Sequence, residues 1–231
     1  MMYQTLIGGL PMLELSLTEE TCRSLCAFGE AVVKQNEVMN LTAITEPDQV
    51  AKLHLLDSLS LLKAVPLEGK TLIDVGCGAG FPGVPVKIGC PEVKLTLLDS
   101  LGKRMAWLER ILPELGVEAE CITARAEEFA AQRREQYDCA TSRAVARLNI
   151  LLELTAPFVK VGGAVLAMKG AAAREELEQA QSAISKLGLK LESVQDFPVD
   201  GTSHSVIVLR KVKPTPAQYP RAFAKIKKSP L

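Results

Sequence analysis

The amino-acid sequence predicts an α/β fold of the Rossmann-like type, with a mainly parallel sheet. From Thr71 onward, short apolar runs alternate with helix-length amphipathic stretches, and the first run ends in a glycine-rich loop. In addition, 231 residues with 48% hydrophobic and 23% charged side chains suit one sizeable domain with a small extra part. We therefore expect a globular chain built around one sheet.

Two amphipathic helices are expected before the first strand. Residues 16–38 place apolar side chains at helical spacing, and Ser16 or Thr18 is available as the N-cap. Residues 47–63 repeat the pattern. The sequence thus predicts a helical cap over residues 1–66.

Strands and helices then alternate. Strands are expected over 71–75, 94–99, 118–122, 137–141, 163–170, 190–197 and 205–212, with helices from Gly83 and over 103–115, 126–133, 149–158 and 172–187. The short loop Pro198–Ser203 joins the last two strands and predicts an antiparallel hairpin. This gives a seven-stranded, mostly parallel sheet in a domain over residues 67–212, followed by a basic tail over 213–231.

Charge and cysteine content narrow the function classes. The 27 Lys and Arg residues balance the 27 Asp and Glu residues, so any affinity for nucleic acid must come from a local patch. The six cysteines lack the paired spacing of a zinc site, so we expect buried thiols in a reducing cytoplasm and no metal. We find no signal peptide and no apolar run of about 20 residues, and expect a cytoplasmic protein without a membrane contact.

The loop after the first strand carries the pattern of a nucleotide-type site. Asp74, Gly76, Gly78 and Gly80 close the strand and open a helix, where a doubly wound sheet binds its ligand. Nineteen residues beyond Gly80, Asp99 ends the second strand and is suited to accept hydrogen bonds from ribose hydroxyls.

Two ligands compete for this loop. Gly78, Gly80 and Gly83 also match the dinucleotide pattern, so NAD is the rival. The extra Gly76 and the carboxylate of Asp74 favour S-adenosylmethionine, because a carboxylate facing the ligand would repel a pyrophosphate and attract an α-ammonium group. The sequence therefore favours a methyl donor.

Strand order suggests further contacts. Ala126 and Glu127 follow the third strand, on the rim where the adenine edge usually lies. Arg143 ends the fourth strand, beside the expected methyl group, where it could bind the donor carboxylate, an oxygen of an acceptor base, or only a structural ion-pair partner. All three remain open from the residues alone.

Missing motifs restrict the acceptor. After the fourth strand there is no Asn/Asp-Pro-Pro-aromatic stretch for an exocyclic amine and no Pro-Cys nucleophile for a pyrimidine carbon. A ring nitrogen with a free lone pair needs neither device, so catalysis reduces to alignment and desolvation. Guanine N7 is such an atom, and an arginine donating to the neighbouring O6 would orient it.

A series of short motifs resembles one family over nearly the whole chain, from about Leu17 to Leu231. In order they are Asn40 to Ile44, His54-x-x-Asp57-Ser58-Leu59, Asp74 to Pro85, Leu98-Asp99-Ser100-x-x-Lys103-Arg104, Arg125-Ala126-Glu127, Ser142-Arg143-Ala144-Val145, and Tyr219-Pro220-Arg221 to Leu231. Together they resemble the bacterial RsmG (GidB) family of 16S ribosomal RNA guanine-N7 methyltransferases, which act in the 530 loop. The tail departs from the family pattern at Ala224 and Ile226, where Gly and Pro are usual.

The resemblance implies a class I methyltransferase fold and a set of functional residues. It implies a cytoplasmic, single-subunit enzyme whose partner is 16S ribosomal RNA or a small-subunit particle. The implied donor contacts are Gly76, Phe81, Ala126, Glu127 and Arg143. By resemblance alone, His54 and Asp57 would line the acceptor cleft and be catalytic residues together with Arg143, although a hydrogen-bonded pair on a helix surface is an equal alternative for His54 and Asp57.

Several interpretations remain open. Asn40, Leu41 and Thr42 could cap the loop between the helices or cover the donor, and His204 has no partner that the sequence identifies. A small-molecule or protein methyltransferase, a non-catalytic donor binder and an NAD-dependent oxidoreductase are alternatives. Basic residues that could neutralise RNA phosphates, or only form a solvated face, are Lys103, Arg104, Arg133, Arg134, Arg147, Arg221, Lys225, Lys227 and Lys228.

Overall fold

The chain folds around one seven-stranded sheet, as its computed structural model shows for residues 1–199 and 202–231. The strands are β1 (Thr71–Val75), β2 (Lys94–Asp99), β3 (Glu120–Thr123), β4 (Tyr137–Arg143), β5 (Val159–Lys169), β6 (Leu189–Val199) and β7 (Thr202–Lys211). Their order is β3-β2-β1-β4-β5-β7-β6. The first five are parallel, whereas β7 pairs antiparallel with both β5 and β6. The predicted sheet and its hairpin are confirmed; residues 200 and 201 of the predicted hairpin loop lie outside the described residues.

Helices cover both faces of this sheet. They are α1 (Met2–Gly9), α2 (Glu19–Asn36), α3 (Pro47–Val50), α4 (Asp57–Ala64), α5 (Gly83–Gly89), α6 (Gly102–Glu114), α7 (Ala126–Phe129), α8 (Leu148–Thr155), α9 (Ala173–Gln179), α10 (Gln181–Lys186) and α11 (Phe223–Lys228). A π-helical segment, Ala51–Leu56, joins α3 to α4 into one rod. None of the helices in the described ranges is long and apolar enough to cross a membrane.

Strand order locates the crevice that holds the site. The chain runs outward from β1 to β2 and β3, then returns to β4 on the other side of β1. Connections therefore leave β1 and β4 in opposite directions, and an opening forms outside their carboxyl ends. Asp74 and Arg143 are both at this end of the sheet, because β1 and β4 are parallel.

Two hydrophobic clusters stabilise the sheet, one on each face. The first contains Leu72 and Leu97 from the sheet and Leu6, Leu25 and Leu55 from the helices that precede β1. The second packs the opposite face against α8 and α10. The N-terminal helices therefore share a hydrophobic core with the sheet. The predicted division into a cap over 1–66, a domain over 67–212 and a tail over 213–231 stays a prediction.

The structure differs from the predicted elements at several ends. α2 begins after Thr18, whose hydroxyl accepts from Thr21 N at 3.1 Å, which confirms one of the two expected caps. α1 was not expected, because its eight residues contain two glycines and are held by contacts with the rod at Ala51–Leu56. The helix predicted over 126–133 ends at Phe129, before Glu135 turns the chain with a positive φ of 52°. The one predicted over 172–187 is split into α9 and α10.

Candidate functional site

Two cavities lie side by side at the crevice. The first, of about 620 Å³, is bounded by the β1 loop, the end of β2, residues 124–127 and the tail. The second, of about 670 Å³, is bounded by the segment after β4, the end of β5 and α9. Their common wall consists of His54, Arg143, Ala144 and Val145, which line both cavities.

The glycine loop forms the floor of the first cavity. Gly78 has a φ of 57°, and a Cβ built there would have only an Arg104 nitrogen, at 3.8 Å, within contact range, so this backbone is open to a ligand. A Cβ at Gly76 would lie 2.5 Å from Val145 Cγ2. The lack of a side chain at Gly76 therefore makes room for Val145 of the common wall. Gly80 was expected to contact the ligand, but it faces Val84, Leu108 and Phe28 and does not line the cavity.

Asp74 lies in a different position from the one expected. Its carboxylate is fully buried beneath the loop and does not line either cavity. Oδ2 accepts from Gly83 N at 2.8 Å, and Oδ1 has no hydrogen-bond partner among the described residues. Burial raises the pKa of Asp74 to about 7, and the bond from Gly83 and the charge of Arg143 only partly oppose this. Asp74 therefore fixes the turn into α5, and its carboxyl group does not face the cavity, contrary to the expectation.

Asp99 lies where the sequence places it, at the tip of β2 on the cavity wall. Its two oxygens accept from backbone groups, Oδ2 from Gly78 N at 3.0 Å and Oδ1 from Leu101 N at 2.8 Å. Each carboxylate oxygen retains a second lone pair. Asp99 thus ties two loops together and presents acceptor capacity to the cavity.

The opposite rim combines the expected residues with part of the tail. Ala126 and Glu127 line the first cavity, and Glu127 Oε1 accepts from Arg125 Nε at 2.7 Å. Arg125 in turn lies over the ring of Phe223, 4.7 Å from its centroid, and Phe223 also lines the cavity. The tail therefore completes a wall of the first cavity.

The loop after α2 borders the first cavity. Asn36 Oδ1 accepts from the backbone N–H groups of Leu41 and Thr42, which fixes the loop at the end of α2. Leu41 and Thr42 line the cavity, and the guanidinium of Arg104 donates to Asn40 O at 3.2 Å. The segment is therefore capped by Asn36 and borders the cavity, and its contact with the donor stays a prediction.

Arg143 is held by several groups in the common wall. Nη1 donates to Leu53 O and to Asp57 Oδ2, both at 2.8 Å, and Nη2 lies 3.1 Å from His54 Nδ1. The guanidinium also lies over the ring of Phe81, 5.2 Å from its centroid. These contacts fix the orientation of Arg143 between the cavities.

Both ring nitrogens of His54 make contacts in the common wall. Burial, followed by the charge of Arg143, lowers the pKa of His54 to about 4. Nδ1 lies 3.1 Å from both Leu53 O, which can only accept, and Arg143 Nη2, which can only donate, so a neutral ring bonds one of the two in either tautomer. Nε2 lies 2.8 Å from Thr42 Oγ1, and the ring stacks on Phe81 with the centroids 4.6 Å apart.

Asp57 connects Arg143 to the last strand. Its side chain is 4% exposed, and Oδ1 lies 2.9 Å from Nδ1 of His204 on β7. Burial alone would raise the pKa of Asp57, but the hydrogen bonds from His204 and Arg143 outweigh burial and lower the pKa below its ordinary value. The hydrogen bond to Asp57 raises the pKa of His204. His204, for which the sequence identifies no partner, thus belongs to the network behind Arg143.

The second cavity has its own partly buried ion pair. Lys169, at the end of β5, donates from Nζ to Ala146 O at 2.5 Å and to Glu176 Oε2 at 2.8 Å. The same oxygen accepts from Leu148 N, at the start of α8, at 2.7 Å. These bonds hold the segment after β4 between β5 and α9. Residues 1–199 and 202–231 contain no group of three His, Cys, Asp or Glu side chains arranged to hold a metal ion.

Comparison with known proteins gives a consistent result. The family model described as GidB, rRNA small subunit methyltransferase G, matches residues 21–205. The chain is 43% identical to the ribosomal RNA small subunit methyltransferase G of Alkaliphilus metalliredigens, over 96% of both chains. It is 41% identical to that of Desulfitobacterium hafniense, over 99% of this chain and 98% of the relative.

The chain belongs to the rRNA small subunit methyltransferase G family. The predicted family membership and the prediction of a methyltransferase are thereby confirmed. The fold agrees, since a SAM-dependent methyltransferase from Aquifex aeolicus superposes with a TM-score of 0.54 at 16% identity, over 78% of this chain and 97% of that one.

The predicted RNA-binding residues of this family member divide into two groups. Lys103, Arg147, Lys225, Lys227 and Lys228 are exposed. The others lie in internal contacts: Arg221 with buried Glu153, Arg134 with backbone oxygens of Thr215, Pro216 and Tyr219, Arg133 with Glu120, and Arg104 with Asn40. Arg221 and Arg134 therefore anchor the tail, which differs from the phosphate contact expected of them.

Sequence reasoning missed several residues that line the cavities. Val145, Lys169, Glu176 and Phe223 were not singled out as site residues. Lys169 and Glu176 are seven residues apart on different elements, so no periodicity connects them. Val145 had a usable signal, because it follows Arg143 at the carboxyl end of a parallel strand.

Proposed function

We propose that this protein transfers the methyl group of S-adenosylmethionine to N7 of a guanine in the 530 loop of 16S ribosomal RNA, guanine 527 in the usual RNA numbering. The observation that carries the proposal is the pair of adjacent cavities that share Arg143 as a wall. One suits the donor and the other the acceptor base. Names of the relatives support a small-subunit ribosomal RNA as substrate.

The first cavity fits S-adenosylmethionine. Gly78 leaves backbone open to the ligand, and Asp99 offers carboxylate lone pairs for a ribose diol. Ala126, Glu127 and Phe223 would border the adenine, while Phe81, Gly76 and Arg143 would border the methionine part. Bound there, S-adenosylmethionine supplies a sulfonium methyl group that a nucleophile can attack.

His54 and Asp57, the two titratable residues that contact Arg143, are poorly suited to act as a general base. His54 has a pKa of about 4, and both its ring nitrogens are engaged. Both oxygens of Asp57 are held, by Arg143 and His204. This supports N7 as the acceptor, because its lone pair forms the new N–C bond while the S–C bond breaks, and no proton has to leave.

Arg143 would orient the base. Its guanidinium is held on three sides and still faces both cavities, so a remaining N–H can donate to guanine O6 beside N7. Such fixed orientation lowers the barrier by alignment. Within this proposal His54 and Asp57 are positioning residues, rather than the catalytic residues considered at first.

The exposed basic residues extend the acceptor site toward RNA phosphates. Arg147 borders the second cavity, and Lys225, Lys227 and Lys228 project from α11, next to the first. We propose that the enzyme acts as a cytoplasmic monomer on the RNA or on a small-subunit particle.

One pair of experiments tests the proposal. Thermal stabilisation by S-adenosylhomocysteine but not by NAD would support the donor, and the reverse would favour an oxidoreductase. Labelled methyl transfer to small-subunit RNA, against metabolite and protein pools, followed by mapping of the modified base, tests the acceptor. Labelling of any atom other than guanine N7 would overturn the proposed chemistry.

A further inference from the structure

The two carboxylates that line the second cavity differ in how fully they are engaged. Asp57 uses both oxygens, one with Arg143 and one with His204. Glu176 receives both of its described donors, Lys169 Nζ and Leu148 N, on the single oxygen Oε2. Its Oε1 has no hydrogen-bond partner among the described residues, and, unlike Asp74 Oδ1, it is not sealed from solvent. Glu176 borders the second cavity, and its Oε1 is therefore a hydrogen-bond acceptor that remains available there.

This carboxylate is held rigidly. The bond from Lys169, whose side chain is 7% exposed, and the bond from the first turn of α8 fix its position. Lys169 also donates to Ala146 O, so the same pair holds the backbone that follows Arg143. The bonds that hold the start of α8 and Lys169 use only Oε2, whereas Oε1 is available to a ligand. A pre-oriented acceptor discriminates well, because little entropy is lost when the ligand binds.

Guanine has the complementary edge. Its Watson–Crick side carries two adjacent donors, N1–H and the 2-amino group, which a carboxylate oxygen accepts, whereas adenine has an acceptor at N1 and no 2-amino group. Arg143, which lines the same cavity from the common wall, can only donate, which suits O6. A guanine in the second cavity would thus meet a donor at O6 and an acceptor at its 2-amino end.

We propose that Glu176 is the residue that selects guanine, with Oε1 accepting from the 2-amino group and N1–H of the target base. This rests on the proposed function, since it assumes a purine acceptor in the second cavity. A base that lacks these donors would leave the carboxylate without a partner, and sites built on such bonds reject analogues strongly.

The test replaces the target guanine of small-subunit RNA with inosine, which retains N7 and O6 but lacks the 2-amino group. The wild-type enzyme should methylate the inosine RNA roughly ten- to a hundredfold more slowly than guanine RNA, as measured by kcat/KM. Glu176→Gln should be slow on guanine and show little difference between the two RNAs. The neighbouring exposed Glu175→Gln serves as the matched control and should keep the wild-type preference.

The outcomes separate the two proposals. If wild-type enzyme methylates guanine and inosine equally, or if Glu176→Gln keeps the full preference for guanine, selection by Glu176 is wrong while the proposed function stands. If wild-type enzyme methylates no guanine of the RNA, the proposed function itself fails. Equal wild-type rates on the two RNAs overturn the proposal even if Glu176→Gln does not fold, and thermal unfolding and S-adenosylhomocysteine affinity show whether the variant is intact.

Discussion

Arg143 and Asp57 form a 2.8 Å ion pair between the end of β4 and the start of α4, with the Asp57 side chain 4% exposed. The pair spans 86 residues of sequence and places a guanidinium in the wall between the two cavities. The sequence left a structural ion pair and a ligand contact as alternatives for Arg143. The geometry allows both, because Asp57 fixes one side of the guanidinium while the other faces the cavities.

We expect Arg143→Lys to lower kcat/KM for methyl transfer by about a hundredfold, the order of loss that a misplacement of about 1 Å causes. A lysine can keep the charge beside Asp57, but its single nitrogen cannot also satisfy Leu53 O and His54 Nδ1. Steady-state kinetics with RNA and isothermal titration with S-adenosylhomocysteine measure the two steps.

Arg110→Lys, on the exposed side of α6, is the control and should leave both measurements unchanged. Transfer at the wild-type rate by a folded Arg143→Lys protein would contradict the placement of Arg143. Arg143→Ala is less informative, because it also leaves buried Asp57 without its guanidinium partner and so destabilises the fold.

Asp99→Ala should weaken S-adenosylhomocysteine binding by about 1–3 kcal/mol, the cost of losing hydrogen bonds to an enclosed diol. Asp99→Asn, which keeps one acceptor oxygen, should lose less. Isothermal titration measures both, and circular dichroism checks that the loops tied by Gly78 N and Leu101 N remain folded. An unchanged dissociation constant for Asp99→Ala would remove Asp99 from the ribose contact.

Elements with a local signal could be predicted from the sequence. β1 and β2 are buried on both faces, so they are mostly apolar runs, and the predicted ranges 71–75 and 94–99 match the observed strands. The side-chain network could not be predicted, because its pairs are distant in sequence: His204 lies 147 residues from Asp57, and Leu148 lies 28 from Glu176. No periodicity or motif connects such residues.

Asp74 shows a different limit of sequence reasoning. The type of residue and its place at the end of β1 were correct, but the direction of its side chain was not. Gly83 decides that direction: a Cβ there would lie 2.9 Å from Asp74 Oδ2, so only glycine lets the N–H approach the carboxylate without a clash. The glycine had been read as part of a ligand loop.

Asp74→Asn should change how stability depends on pH. The pKa of Asp74 is about 7 in the folded protein and about 3.9 in an unfolded chain, so the folded state holds this proton more tightly. The free energy of unfolding contributed by Asp74 therefore falls as pH rises from about 4 to about 7. Relative to wild type, Asp74→Asn should gain about 1–3 kcal/mol between pH 5 and pH 8. Urea unfolding at both pH values measures this, and parallel profiles would contradict the raised pKa.

Arg221→Met should destabilise the protein by about 3–5 kcal/mol, because it leaves the fully buried Glu153 without its partner. The Arg221→Met/Glu153→Gln double variant should recover part of this loss, while Lys213→Met, at the exposed first position of the tail, should have little effect. Urea unfolding compares the three. Equal stability of Arg221→Met and wild type would mean that the tail is not anchored through this pair.

The exposed lysines of α11 should contribute to RNA affinity through phosphate neutralisation. Changing Lys225, Lys227 and Lys228 to Gln should weaken RNA binding and reduce the slope of log K against log salt by about 2, at about 0.7 per phosphate contact with single-stranded RNA. S-adenosylhomocysteine affinity should change little, because Phe223 and the Arg221 anchor are retained. The matched control, Lys94→Gln/Lys186→Gln/Lys190→Gln, removes the same charge from exposed positions away from α11. If both triple variants lower the slope equally, net charge rather than α11 determines RNA binding; a loss confined to the α11 variant identifies the tail as part of the RNA-binding surface.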